Sequence, residues 1–222
     1  MQTHGMTLSR QSEIIPTSVG EMNFTVIGAG SIGSHVTSML VKMGATKVSV
    51  HDPQRVSMEN VGPSLYGINN VNELKVECLR GSLLTETGVE ITAIPRLYRI
   101  EPLESEVVIV TIDSMEGRRR IWDSHRIKWK LWVDARMGFD QCGVYVCNAN
   151  NAHSIELYET SIARQGAALP CGQKATAFIS GGLVVGLVGT IVARYLRGLS
   201  VPTELFYKGF LDFAPFFSVV YG

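Results

Sequence analysis

Gly28, Gly30 and Gly33, within the run Val26-Ile27-Gly28-Ala29-Gly30-Ser31-Ile32-Gly33, have the spacing of an anion-binding turn. Gly28 permits the tight turn, Gly30 lets backbone approach a phosphate with no side chain between, and Gly33 lets the next helix pack closely on the preceding strand. The backbone N–H groups that open that helix, those of Ser31 and Ile32 among them, then face an anion. A second apolar run, TKVSVHD, ends in Asp52, 19 residues after Gly33. An acid there suits the hydroxyl pair of a ribose. A glycine turn alone can bind nothing. The complete strand, turn, helix, strand and acid favour a nucleotide.

The elements that must position these groups have to fit in 222 residues, 45% hydrophobic and 18% charged. That length buries one α/β core, and two large domains would be cramped. The net charge is zero and the pI near 7, so no basic field draws the chain to nucleic acid or an anionic membrane; Arg118-Arg119-Arg120 is a local patch only. Cys78, Cys142, Cys147 and Cys171 form no C-x-x-C pair, and the N-terminus lacks the regions of a signal peptide. Both features predict a reducing, cytoplasmic setting without a cysteine zinc site. Residues 175–193 carry no charge. Thr176, Ser180 and Thr190 dilute that stretch, which predicts a buried helix rather than a membrane span.

Residues 1–20 read as a polar N-terminal arm, with Pro16 and Gly20 leading into the first strand, and residues 21–222 as a single domain. The first βαβ unit runs from Asn23 to Asp52. Residues 53–70 are turn-rich and too long for a plain connection. A helix over 71–87 follows, then a strand in VEITAIPR and a buried parallel strand in EVVIVTID that ends at Asp113. A helix over 118–127 precedes the strands LWVDAR and CGVYVCNA, whose alternation suits an antiparallel edge. The predicted fold is α/β: a Rossmann-like open sheet, mostly parallel with antiparallel edge strands, and helices on both faces. Ligands of such sheets sit beyond the carboxyl ends of the strands, which gathers Gly28 to Gly33, Asp52 and Asp113 around one crevice.

In that order these residues resemble the ThiF/MoeB-type activating enzymes, adenylyltransferase relatives of the ubiquitin-activating enzymes, over roughly residues 26–198. GAGSIG and Asp52 are followed by Val56 and Asn60 at the family's spacing. NELKVEC places Lys75 where the family has a lysine opening its next helix. IVTIDSMEGR places Asp113 and Arg118 on the family's C-T-D-N-x-x-x-R, and Cys171 precedes the glycine-rich segment as a reactive cysteine does in some members. The resemblance implies ATP-dependent adenylation of the C-terminal glycine of a small ubiquitin-like or sulfur-carrier protein by a homodimer, with no nucleic-acid or membrane partner. Lys75 would neutralise the phosphates, Asn60 would hydrogen-bond the phosphates or the ribose, and Asp113 would hold Mg²⁺. Cys171 is then a covalent acceptor or a small buried apolar residue.

The chain also departs from this pattern. The family's arginine and glutamine three and four residues after the asparagine are Pro63 and Ser64 here, and its zinc-binding cysteine pairs are absent. Arg10, Arg55 and Arg136 are candidates for the missing cation. Arg10 stands in LSRQ, which resembles the family's arm whose arginine reaches into the partner subunit's site. Two alternatives stay open: a non-catalytic nucleotide-binding scaffold for a partner protein, and an NAD-dependent oxidoreductase. The second would leave Asn60, Lys75 and Asp113 unexplained, and His35, His51, His125 and His153 are too scattered to supply acid–base chemistry.

Overall fold

The structure is a computed structural model that describes residues 2–3, 6–98, 105–125, 129–138, 141–163, 178–208 and 216–221. A short hairpin, β1 (Gln2–Thr3) and β2 (Met6–Thr7), precedes the main sheet. The sheet strands are β3 (Asn23–Ile27), β4 (Lys47–His51), β5 (Thr92–Ile94), β6 (Val107–Val110), β7 (Leu131–Met137), β8 (Gln141–Asn148), β9 (Glu204–Lys208) and β10 (Phe216–Val220). The helices are α1 (Ser31–Met43), α2 (Met58–Val61), α3 (Lys75–Thr87), α4 (Met115–His125), α5 (Ala152–Ala163) and α6 (Phe178–Leu196).

The eight strands lie in the order β10-β9-β8-β7-β6-β3-β4-β5. Pairing is parallel from β5 through β4, β3 and β6 to β7, and antiparallel from β7 through β8 and β9 to β10. The sheet is thus open and Rossmann-like, with antiparallel strands at one end, as the pattern predicts. The exact edge differs. LWVDAR and CGVYVCNA form β7 and β8, which are interior because β9 and β10 extend the sheet beyond them. The alternation in β7 separates two buried faces rather than a dry face from a wet one: Leu131, Val133 and Ala135 face one core, while Trp132, Asp134 and Arg136 are equally buried.

One core packs α1, α3 and α6 on the sheet through residues such as Val36, Leu40, Leu79, Leu83, Val184 and Val188. The opposite face carries Trp122 of α4, Tyr158 and Ile162 of α5, and Trp129 and Trp132. Among the described residues no helix is long and apolar enough to cross a membrane. Instead α6 buries Val184, Val188, Ile191 and Val192, and Gly189 brings its backbone close to Met39 of α1.

Two helix starts shift from the periodicity. α3 opens at Lys75 rather than Val71, because Asn72 has φ 73° and its N–H is given to Val56. α4 opens at Met115, where the Ser114 hydroxyl accepts the Gly117 N–H. The arm beyond the hairpin is anchored on its own chain. The Gln11 amide donates to the Lys42 carbonyl at 2.6 Å, Arg197 donates to the Glu13 carbonyl at 2.6 Å, and Val19 is buried.

The closest backbone approach is at the start of α1. A Cβ added to Gly33 would lie 1.9 Å from the Gly28 carbonyl oxygen, whereas one added to Gly30 meets nothing within 4 Å. Gly33→Ala is therefore expected to lower the unfolding free energy by about 2 kcal/mol or more, and Gly30→Ala by about 0.5 kcal/mol or less. Urea unfolding of the two variants checks this; equal effects would contradict it.

Candidate functional site

β3 ends in a turn that its sequence forces. Gly28 has φ 101°, and a side chain there would also strike Thr111 Oγ1 at 2.9 Å. Thr111, one residue past β6, fills the space under the turn and donates to the carbonyls of Gly28 (2.9 Å) and Ile27 (3.1 Å). Gly30 is the N-cap of α1 and offers no side-chain cap. The first N–H groups of a 13-residue helix therefore open into the space above Gly30, a site for negative charge.

Asp52 is buried, and both its oxygens act on the backbone. Oδ2 accepts the Ala29 N–H at 2.7 Å and Oδ1 accepts the Gln54 N–H at 2.8 Å. The acid predicted to meet a ribose thus also pins the glycine turn to the end of β4. Each oxygen keeps a second acceptor direction.

Residues 57–66 fold back as a strap over this turn. The Ser31 hydroxyl donates to the Pro63 carbonyl (2.8 Å), the Leu65 N–H to the Ser34 hydroxyl (3.3 Å), and the buried Tyr66 hydroxyl to the Ala29 carbonyl (2.6 Å). Burial, with the nearby Asp52 charge adding to it, pushes the Tyr66 hydroxyl far above its ordinary value, so it stays a donor. Asn60 closes a capping box on α2: its Oδ1 accepts the Ser57 N–H at 3.0 Å. That use leaves the amide NH₂ as the part of Asn60 able to donate to a ligand.

Lys75 is 4% exposed, and its ammonium donates to Gln54 Oε1 at 2.8 Å. Asp113 lies three residues past β6, exposed, with no partner for its carboxylate among the described residues. Parallel pairing of β4, β3 and β6 puts Asp52, the glycine turn and Asp113 at one end of the sheet. Gln54 ties Lys75 to the same end.

The remaining predicted residues are placed elsewhere. Arg10 is exposed on the arm, which is docked against Lys42 and Gly44 at the C-terminal end of α1. A 13-residue helix spans about 20 Å, so Arg10 lies a helix length from its own chain's glycine turn. Arg55 donates to the Asn72 carbonyl at 2.7 Å. Arg136 is also committed: its Nε and Nη2 donate to Asp134 Oδ2 at 2.9 and 2.7 Å, and its guanidinium sits 4.1 Å over the Tyr145 ring. Arg136 is thus corrected from a candidate phosphate ligand to a structural cation. Cys171 lies outside the described residues.

Arg118 pairs with the other Asp134 oxygen and donates to the carbonyls of Ile112 and, at 3.1 Å, Ala135. Asp134, at 0% exposure, also accepts the Tyr158 hydroxyl at 2.9 Å. Burial pushes Tyr158 up to about 12, against the pull of the two guanidiniums. This network fastens the loop carrying Asp113 to β7. The sequence marks Arg118 through its motif, but its partners Asp134 and Tyr158 carry no signal there beyond the alternation of β7.

The ThiF family pattern matches residues 17–217. The chain belongs to the ThiF family. Solved structures with the same fold include Escherichia coli MccB in complex with AMPCPP and MccA (TM-score 0.71, 13% identity, 94% of this chain and 66% of that one) and PaaA (TM-score 0.71, 14% identity, 96% and 69%). In sequence, the tRNA threonylcarbamoyladenosine dehydratases 1 and 2 of Saccharomyces cerevisiae are 29% identical over 66 residues and 43% identical over 56 residues. Those stretches cover 29% and 25% of this chain but only 15% and 12% of the yeast proteins.

Asp134→Asn would leave two buried guanidiniums sharing one neutral amide. It is expected to lower the unfolding free energy by about 3 kcal/mol or more, measured by urea unfolding. A loss below 1 kcal/mol would mean that the network is not the fastening described.

Proposed function

We propose that this ThiF-family chain is an ATP-dependent adenylyltransferase that activates the C-terminal glycine carboxylate of a small ubiquitin-like or sulfur-carrier protein. The reading rests on one observation: an uncapped helix N-terminus, a buried ammonium and an exposed acid converge at the same end of the sheet. MccB, which shares the fold, has been crystallised with ATP and with MccA, which supports a nucleotide beside a second substrate.

In the reaction a carboxylate oxygen attacks the α-phosphorus. A bond from that oxygen to phosphorus forms as the bond from phosphorus to the pyrophosphate oxygen breaks, and negative charge grows on the phosphate oxygens. The N–H groups at the start of α1 and the Lys75 ammonium meet that charge. The Asn60 amide donates to phosphate or ribose, and Asp52 holds the turn while its remaining acceptor directions meet the ribose. Asp113 fits Mg²⁺, which takes few protein carboxylates when it arrives with a triphosphate. Bound there, the ion would neutralise charge on the phosphates. No cluster of three or more ligating side chains exists among the described residues, and Asp113 is the exposed acid at this end of the sheet. Onward transfer to Cys171 belongs to the proposal through its position in the sequence alone.

Pro63 supplies no cation, and Arg10 is too far from its own site to replace it. In a homodimer, Arg10 would serve the partner's site. Mg²⁺-dependent ATP–pyrophosphate exchange with glycine-ended carriers tests the account. Lys75→Ala and Asp113→Ala are each expected to lower the exchange rate by about 10²-fold or more. Mixing Arg10→Ala with Lys75→Ala subunits should restore part of the activity, since one site of a mixed dimer keeps both groups. ATP binding with no exchange for any carrier would favour the scaffold reading instead.

A further inference from the structure

Gln54 stands between Asp52 and Lys75 and touches both. Its backbone N–H donates to Asp52 Oδ1 at 2.8 Å, its carbonyl accepts the Lys75 N–H at 3.0 Å, and its side-chain Oε1 accepts the Lys75 ammonium at 2.8 Å. The surrounding backbone is laced in the same sense. Val56 N–H donates to the Glu73 carbonyl, Asn72 N–H donates to the Val56 carbonyl, and Arg55 pairs with Leu74 across an isolated bridge. The segment after β4 and the segment before α3 are therefore tied together.

A lysine at 4% exposure is ordinarily paired with an acid. Lys75 has none within ion-pair distance among the described residues: Glu77, two residues on, pairs with Arg80, and each oxygen of Asp52 accepts a backbone N–H. The neutral amide of Gln54 meets one N–H of the ammonium without forming an ion pair with it. Two of its three N–H donors stay available.

We propose that Gln54 is a positioning residue that fixes the Lys75 ammonium beside the glycine turn without neutralising it, so that the full positive charge is kept for the phosphates of the nucleotide. This rests on the nucleotide reading of the site. A carboxylate at the same place would hold Lys75 equally well but cancel its charge. A side chain of similar size with no acceptor would keep the charge but release the ammonium.

Gln54→Glu and Gln54→Leu separate these two contributions. The full chain is titrated calorimetrically with MgATP and with adenosine, which lacks the phosphates, and thermal unfolding confirms that each variant is folded. Wild type should bind MgATP more tightly than adenosine. Gln54→Glu is expected to weaken MgATP binding by about tenfold or more while adenosine binding stays within about twofold. Gln54→Leu should lose less, about threefold to tenfold. A folded Gln54→Glu protein that binds MgATP as wild type does, or that loses MgATP and adenosine affinity equally, would overturn the proposal and leave the nucleotide reading standing. A wild-type protein that fails to bind MgATP would overturn both.

Discussion

The contact between the Asp52 carboxylate and the Ala29 N–H is the constraint on which the site depends. At 2.7 Å and buried, it joins the end of β4 to a glycine turn at the end of β3. A turn with φ 101° at Gly28 suits glycine alone, and because glycine is free to adopt many other conformations its surroundings must hold it in this one. Asp52 holds it from one side, Thr111 from below, and the strap from above, through Tyr66 and the Pro63 carbonyl that accepts the Ser31 hydroxyl. Each of these partners comes from a different stretch of chain, so the anion-binding end of α1 exists only when the parallel sheet and the strap are both in place.

The rest of the arrangement follows from that fixed turn. Gln54, two residues past Asp52, carries Lys75 to the same end, and Arg118 fastens the loop bearing Asp113 to β7 through Asp134. Three buried cations are used in two opposite ways. Arg118 and Arg136 share a carboxylate and serve as structure, whereas Lys75 rests on a neutral amide and retains its charge. Burial alone would not distinguish them; the chemistry of the partner does.

Much of this was legible in the sequence, because glycines and terminal acids mark strand ends directly. The βαβ unit, the strand ending near Asp113 and the buried helix α6 have unambiguous periodicities, and the spacing of Asp52, Asn60, Lys75 and Asp113 carried the family resemblance. The edge of the sheet was not legible. β9 and β10 are short, and β10 exposes Phe216, Phe217 and Val219, so neither alternates as a half-buried strand should. Gln54 and Tyr66 were missed because a single polar or aromatic residue in a turn-rich stretch has no periodicity; only the fold reveals what it touches. Arg136 was misplaced for the converse reason: its partner Asp134 is two residues away on the same strand face, a pairing that looks solvent-exposed until α5 covers it with Tyr158 and Ser161.

The most direct measurement is amide hydrogen exchange of the full chain with and without saturating MgATP. The account predicts slowed exchange in peptides covering Gly28 to Ser34 and the strap around Asn60, with no change at the other end of α1 around Leu40 to Ala45. Exchange that is unchanged at the glycine turn, or slowed only away from it, would contradict the placement of the nucleotide and the function built on it.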